Sequence, residues 1–292
     1  MNVSQETNTT SLAPNVEDVE DTELKQYRED WWKRGKKHRK AKWEEASLPY
    51  ELATKVTWKE YAEKTDKYKI HGWWEWEAGK VRVIQLPSTF HEHAVGAITA
   101  SIVSATFVLR NTNNGILNSG STTTKSHGSG KEADASFTPR ARPRVNRGGS
   151  DGRNQPWPSL VVEVAYTISE SDTRKKVNYW LRAGRAHDVI MIKIDEPIAP
   201  ATIPSCMTAW HYCINNVTTA GALNPAMYEF GTVARDGTTP INLQAGQLVI
   251  NIPLGCLYHG VPNNFVIPSP PLPNQIPIDL FDVQYAVLNC FR

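Results

Sequence analysis

Three acidic residues occupy positions where a carboxylate can do chemistry. Glu92 falls in the first turn of a predicted helix over 91–110, Asp134 in the short strand KEADASFTP, and Glu163 in the apolar strand SLVVEVAY. A buried carboxylate is costly unless it is paired, hydrogen-bonded or bound to a metal. Two of them on adjacent strands would repel each other unless a cation lay between them, and Mg²⁺ or Mn²⁺ prefers such oxygen ligands. The alternative is that each acid forms an ordinary salt bridge or lies in solvent.

The helix after Glu163 can supply an ammonium group to this cluster. Glu163 and Ala165 share one face of their strand, so the neighbouring slot on that face is small and apolar. At about 100° per residue, Lys176 lies on the flank of the helix's buried stripe, whereas Lys175 lies nearly opposite the stripe. A lysine on the flank can bring its ammonium to the acids. Arg174, on the other flank, would serve only as a phosphate clamp, because a guanidinium stays protonated. The stripe consists of Val177, Trp180, Leu181 and Gly184.

Periodicity predicts the elements that position these residues. Alternating residues around Glu77–Lys80 predict a hairpin with Gly79 in its turn. The helix over 91–110 follows, with Val95, Ile98, Ile102 and Leu109 as its buried stripe. ILNSGSTTTKS is predicted as an exposed strand, followed by the two acid-bearing strands, a helix over 171–183 and the strand DVIMIKID. Strands that alternate with helices and then give way to a β-rich tail predict a mixed α/β fold.

Composition divides the chain into three parts. Residues 1–20 have almost no large apolar side chains and are predicted to be a disordered acidic tail. Residues 21–50 are predicted to form a basic helical arm, with seven Lys or Arg in 33–42. Residues 51–292 form the predicted folded domain. The net charge of +2 is too small to indicate a partner, so only the uneven distribution of charge is informative.

The order of these elements resembles the Uma2-type restriction endonucleases of the PD-(D/E)xK nuclease superfamily. The resemblance covers roughly Trp73 to Asp195 and extends weakly into the tail. It implies a restriction-endonuclease-like core, with a mixed central sheet flanked by helices and a β-rich C-terminal extension. It rests on WWEWEAGKVRVIQLP, FHEHAVGAI, EADASF, PSLVVEVAYTIS, KVNYWLRAG and HDVIMIKID, and in the tail on QLVINIPLG and IPIDLFDVQ.

Carried over residue by residue, the resemblance implies that Asp134 and Glu163 bind Mg²⁺ or Mn²⁺. Lys176 would position or deprotonate the attacking water and stabilise the charge that develops on the phosphate. Glu92 would be an accessory ligand or a base, while its neighbour His91 is interpreted as structural because it aligns better with the buried stripe. Asp134 follows Ala133, where the family pattern has proline.

Two basic segments are predicted to contact nucleic acid, because the phosphate backbone attracts clustered Lys and Arg. The arm also has the composition of a nuclear localisation signal, and a solvated helix face is a third interpretation. Its tryptophans can stack on bases or pack against the core. The contact residues are predicted to be Lys36, Lys37, Arg39 and Lys40 in the arm, and Arg140, Arg142, Arg144, Arg147 and Arg153 in the loop between the acid-bearing strands.

Four cysteines without CxxC pairs favour buried free thiols in a reducing, intracellular compartment. The alternative is a metal site among Cys206, His211, Cys213, Cys256 and His259. No membrane span is expected, since the longest apolar run, Ala94 to Leu109, is shorter than the roughly 20 residues a bilayer requires.

The sequence therefore predicts a metal-dependent endonuclease acting on DNA. A homodimer is plausible, because two sites cut two strands more easily than one. The alternative function is a catalytically inactive protein of the same fold that binds nucleic acid or a protein partner.

Overall fold

The structure is a computed structural model that describes residues 31–32, 48–68, 74–85, 88–121, 123–126, 129–146, 149–150 and 154–291. The tail over 1–20 and most of the arm over 21–50 lie outside these residues. Trp31 and Trp32 of the arm are helical and buried, and Trp31 stacks on Tyr61. These two tryptophans therefore pack against the core and are not free to stack on bases.

The described residues form thirteen strands and five α-helices. In chain order these are β1 (Tyr50–Ala53), α1 (Trp58–Tyr68), β2 (Trp74–Glu77), β3 (Lys80–Val83), α2 (Thr89–Thr106), β4 (Ile116–Asn118), β5 (Thr123–Ser126), β6 (Ser129–Glu132), β7 (Ala135–Pro139), β8 (Leu160–Ala165), α3 (Glu170–Trp180), β9 (Asp188–Ile194), β10 (Met207–Cys213), β11 (Ala226–Glu229), β12 (Val249–Pro253), α4 (Leu254–Leu257), β13 (Gln275–Asp279) and α5 (Leu280–Leu288). A 3₁₀ turn, Phe107–Leu109, continues α2.

The first sheet is antiparallel and has the strand order β1-β3-β2-β6-β5. Its centre is the predicted hairpin, in which Glu77 pairs with Lys80. Ala78 and Gly79 in the turn have φ values of 48° and 84°, the left-handed backbone that a two-residue hairpin of this type requires. The hairpin prediction is confirmed.

The second sheet is mixed, with the order β11-β10-β9-β8-β7-β4. Strands β8 and β9 are parallel and the other pairs are antiparallel. The parallel pair requires a crossover connection, which α3 supplies. The predicted mixed α/β architecture, with a mixed central sheet flanked by helices, is confirmed.

Helices cover both faces of the second sheet. On one face, the stripe of α2 that includes Ile98 and Ile102 packs with Val162 and Val164 of β8. On the opposite face, α3 packs over Val161. Because side chains alternate along a strand, Glu163 points to the same face as Val161, towards α3. The alternation along β8 therefore turns the Glu163 carboxylate towards α3.

Two strand predictions need correction. Residues 116–126 form two strands in different sheets, β4 and β5, and not one exposed strand; Thr124 is buried. The predicted strand KEADASFTP is also divided, because β6 belongs to the first sheet and β7 to the second. Asp134 therefore lies in the bend between the two sheets and not inside a strand.

The C-terminal segment is β-rich, as predicted, with β12 and β13 paired antiparallel and α5 packed against α2. The helical stretch Thr89–Leu109 is longer than the predicted apolar run and is long and apolar enough, by length and composition, to cross a membrane. Its buried stripe packs on the second sheet, as the apolar face of a helix in a protein core does.

Candidate active site

Asp134 is held against β8 by two backbone contacts. Its own N–H donates to the carbonyl of Val162 at 3.2 Å, and its Oδ2 accepts from the N–H of Val164 at 2.6 Å. These two backbone groups flank Glu163 in the chain. The crossing between the sheets therefore places the two acids beside each other.

Lys176 reaches Glu163 from α3. Its Nζ lies 2.5 Å from Glu163 Oε2, and the two side chains are 5% and 1% exposed. The other oxygen, Oε1, accepts from the indole N–H of Trp180 at 2.5 Å. Lys175 is 73% exposed and pairs with Asp172. The structure thus brings Asp134, Glu163 and Lys176 together and leaves Lys175 at the surface.

The charges of this cluster stabilise one another. Burial alone would lower the pKa of Lys176, but Glu163, Asp134 and Glu75 outweigh burial and raise it above its usual value. Burial raises the pKa of Glu163 to about 7, against the opposing effect of Lys176. Burial alone would also raise the pKa of Asp134, but the charges of His91 and Lys176 outweigh burial and lower it. The ammonium is therefore the cation that allows two buried acids to coexist, so their burial does not by itself require a metal.

His91, and not Glu92, lies against the acids. His91 Nε2 is 3.2 Å from Asp134 Oδ2, but the alignment does not make a hydrogen bond, and this buried nitrogen has no hydrogen-bond partner among the described residues. Glu92 is 64% exposed and contacts His91 Nδ1 at 3.1 Å. Glu92 therefore reaches the acids only through the imidazole, and the role predicted for it stays a prediction.

The imidazolium of His91 should make stability depend on pH. Burial opposes its charge, but Asp134 and then Glu92 raise the pKa of His91 from 6.5 to about 9. A group whose pKa is raised on folding stabilises the folded state at pH values below its unfolded pKa. This stabilisation is lost as the pH rises through the folded pKa. The free energy of unfolding should fall by roughly 1–3 kcal/mol between pH 6.5 and about 9.

Urea unfolding in EDTA across this pH range measures the effect. His91→Gln should flatten the profile, whereas the same exchange at exposed His93 should leave it unchanged. A profile that keeps its slope in His91→Gln would contradict the assignment of this titration.

A second buried ion pair adjoins the site. Lys131 Nζ in β6 lies 2.7 Å from Glu75 Oε2 in β2, and Glu75 Oε1 has no hydrogen bond to a described residue. Sequence reasoning missed this pair, as it missed the role of the Trp180 indole. The alternation of the hairpin marks Glu75 as polar, but the pairing of β2 with β6, distant in the chain, is not visible in a local pattern.

A cleft of about 620 Å³ has Lys176 and the Glu75–Lys131 pair in its lining. Further cations on its wall are Arg82, Lys175 and Arg182. Three acids, Glu75, Glu77 and Asp172, share this wall with five cations, so the lining has an excess of positive charge that attracts phosphate to the side of Lys176. Asp134 and Glu163 lie behind this wall and do not line the cleft.

Three of the predicted loop arginines line a separate cleft of about 340 Å³, which Trp180 also lines. Arg140 and Arg144 are exposed. Arg142 donates to the carbonyl oxygen of Trp157 at 2.7 Å, so its guanidinium supports the loop. The other predicted contacts, Lys36, Lys37, Arg39, Lys40, Arg147 and Arg153, lie outside the described residues.

No family model and no curated protein matches the sequence, so membership of the Uma2-type family stays a prediction. Among solved structures, the chain is similar to a candidate nuclease belonging to DUF820 from Anabaena variabilis ATCC 29413. The TM-score is 0.40 and the identity 13%, over 74% of this chain and 91% of that chain. A similarity of this size carries no argument about the site, which rests on its own geometry.

Proposed function

We propose that this protein is a metal-dependent nuclease that hydrolyses phosphodiester bonds in DNA. Asp134 and Glu163 are its metal ligands, and Lys176 assists the reaction. The observation that carries the proposal is the ammonium of Lys176, delivered from α3 to within 2.5 Å of Glu163, in the lining of a cleft with further cations. This combination of two acids and a lysine suits hydrolysis of an anionic ester.

The chemistry of the two acids suits a hard divalent cation, since Mg²⁺ and Mn²⁺ prefer carboxylate oxygens. Both oxygens of Glu163 already contact Lys176 and Trp180, so Glu163 would bind the ion by sharing an oxygen or by releasing one of these contacts. Asp134 uses Oδ2 for its contacts with Val164 and His91, and its Oδ1 has no hydrogen bond to any residue that the structure describes. When bound, the ion supplies Lewis acidity and lowers the pKa of water.

The chain's own residues supply binding and charge. The Lys176 ammonium stabilises the negative charge that develops on the phosphate oxygens. His91 keeps Asp134 ionised, since it lowers the pKa of that carboxyl. Arg82 and Arg182 on the cleft wall hold flanking phosphates without reading sequence.

One observation favours a second candidate, a binding protein of the same fold that does not cleave. Lys176 and Glu163 are in direct contact and almost fully buried. The ammonium balances the buried negative charge, so the cluster does not need a metal ion to be stable. A chain that had lost catalysis would retain such a pair.

Cleavage of supercoiled plasmid and of single-stranded DNA with Mg²⁺ or Mn²⁺ tests the proposal. Asp134→Asn and Glu163→Gln should each slow cleavage at least about 100-fold, because each removes a ligand whose loss costs about 3 kcal/mol of transition-state stabilisation. Asp172→Asn, which alters a carboxylate 32% exposed on the cleft wall, is the control and should change the rate less than about threefold.

Cleavage that survives both Asp134→Asn and Glu163→Gln would refute the proposal. DNA binding by the wild type without cleavage under any of these conditions would establish the second candidate.

A further inference from the structure

A second group of potential ligands lies at the start of β9. Asp188 is the first residue of this strand and His187 precedes it. Cys213 ends β10 directly opposite Asp188 in the antiparallel register, and Cys256 lies in α4. Asp188 pairs with Leu160 of β8, whereas Glu163 pairs with Met191. Asp188 also points to the other face of the sheet, because it is three positions before Met191 and side chains alternate along a strand. The group is therefore distinct from the candidate active site.

The donor atoms have the spacing of a tetrahedral metal centre. One ligand atom from each of the four side chains lies within 4.8 Å of all the others. The Sγ atoms of Cys213 and Cys256 are 3.8 Å apart, and two thiolates at about 2.3 Å from a tetrahedral zinc ion are separated by about 3.8 Å. A disulfide would bring the two sulfur atoms to about 2.05 Å. Cys213 Sγ is also 4.0 Å from His187 Nδ1.

Two further histidines contact this group of four side chains. His211 Nε2 lies 2.7 Å from Asp188 Oδ1, while Asp188 Oδ2 lies 2.9 Å from His187 Nδ1. The ring of His259 packs against the ring of His187, with centroids 4.4 Å apart. The Asp188 side chain is fully buried. A ligand carboxylate held by an outer histidine is the arrangement that fixes ligand orientation in metal sites.

We propose that His187, Asp188, Cys213 and Cys256 bind one zinc ion, with His211 orienting Asp188. Two thiolates and an imidazole select zinc over Mg²⁺, which prefers oxygen ligands. The ion joins α4 to the adjacent ends of β9 and β10. Ser159 extends this connection towards β8, since its Oγ donates to the carbonyl of Leu257 at 2.6 Å and its own carbonyl accepts from His187 N–H at 2.8 Å. The role is structural, because all four positions are filled by side chains.

Inductively coupled plasma mass spectrometry of the whole 292-residue chain, purified without chelator, measures its metal content and tests the proposal. The wild type should contain about one zinc ion per chain, and Cys213→Ser with Cys256→Ser should contain less than about a tenth of that amount. Cys206→Ser with Cys290→Ser changes the two cysteines outside the cluster and should retain full zinc content. Asp134→Asn should also retain it, which separates this outcome from any failure of the nuclease proposal.

Cobalt substitution keeps the proposal testable if the double serine variant does not fold. Wild-type protein stripped of metal and titrated with Co²⁺ should show the thiolate-to-cobalt charge-transfer band and the visible bands of a tetrahedral ion. His211→Asn should bind Co²⁺ at least about tenfold more weakly, because the outer histidine no longer holds Asp188.

Two results would overturn the proposal. One is a folded wild type that takes up neither zinc nor Co²⁺ after incubation and dialysis. The other is a Cys213–Cys256 disulfide in protein prepared under reducing conditions, detected by mass spectrometry of peptides.

Discussion

Lys176→Met should slow Mg²⁺-dependent DNA cleavage at least about 100-fold, since a preorganised charge at the phosphate is worth about 3 kcal/mol or more. The variant retains the length and apolar body of the side chain and removes only the ammonium that contacts Glu163. Initial rates of plasmid nicking measure the effect, at a temperature where circular dichroism shows the variant to be folded.

Lys175→Met is the matched control. Lys175 is adjacent in sequence and equal in charge, but it is 73% exposed and pairs with Asp172. Its removal should change the cleavage rate less than about twofold, because exposed ion pairs contribute little. Equal losses in the two variants would show that the ammonium of Lys176 has no special place in the reaction.

Lys176→Met should also destabilise the fold by roughly 3–5 kcal/mol at neutral pH. Burial already raises the pKa of Glu163 to about 7, and without the ammonium this carboxyl must take up a proton in order to stay buried. The penalty should shrink as the pH falls towards the ordinary carboxyl pKa. Near that pKa the carboxyl of the unfolded chain is protonated as well, so folding no longer has to bind a proton. Urea unfolding at about pH 8 and about pH 5 measures both values.

A double-mutant cycle isolates the pair. Adding Glu163→Gln to Lys176→Met removes the carboxyl that must otherwise be protonated on folding, and it keeps an oxygen that can accept from Trp180. The double variant should recover most of the lost stability. Lys175→Met alone should stay within about 0.5 kcal/mol of the wild type. A double variant as unstable as Lys176→Met would mean that the lysine contributes through its packing and not through its charge.

Local periodicity was sufficient to locate Lys176. The buried stripe of α3 is regular, so the phase of the helix separates Lys176 from Lys175, and the alternation of β8 turns Glu163 towards the same helix. Both inferences concern a single element and its nearest neighbour in the chain, where geometry is fixed by the backbone.

Sequence reasoning was less informative where a residue depends on two distant segments. The pattern of KEADASFTP predicts one strand that contains Asp134, because nothing in it marks the passage of the chain from one sheet to the other. The helical stripe predicts His91 to be buried and structural, and Glu92 is the residue predicted to act on the metal. In the structure Ser88 caps α2 by accepting from the N–H of His91, and the buried His91 is the residue that faces Asp134.

The cysteine and histidine group shows the same limit. The packing of α4 at the ends of β9 and β10 brings Cys213 and Cys256 together. The spacing of the two cysteines in the sequence does not match a motif that would predict this contact. Cys206, weighed with them from the sequence, lies elsewhere and contacts the carbonyl of Ala234. His187 and Asp188 were missed because an apolar strand follows them directly, and they look like its polar boundary.

The passage of the chain from β6 to β7 has a consequence for how the acids are spaced. Glu132 ends β6, and the N–H of Asp134 is already bonded to β8, so Ala133 alone spans the two layers. Such a short connection leaves little freedom, so a shift between the two sheets would pull directly on the bonds that hold Asp134 against β8 beside Glu163. In the metal site proposed for these acids, substitutions in the packing between the sheets, far from either carboxylate, would therefore change which ionic radius the site accepts.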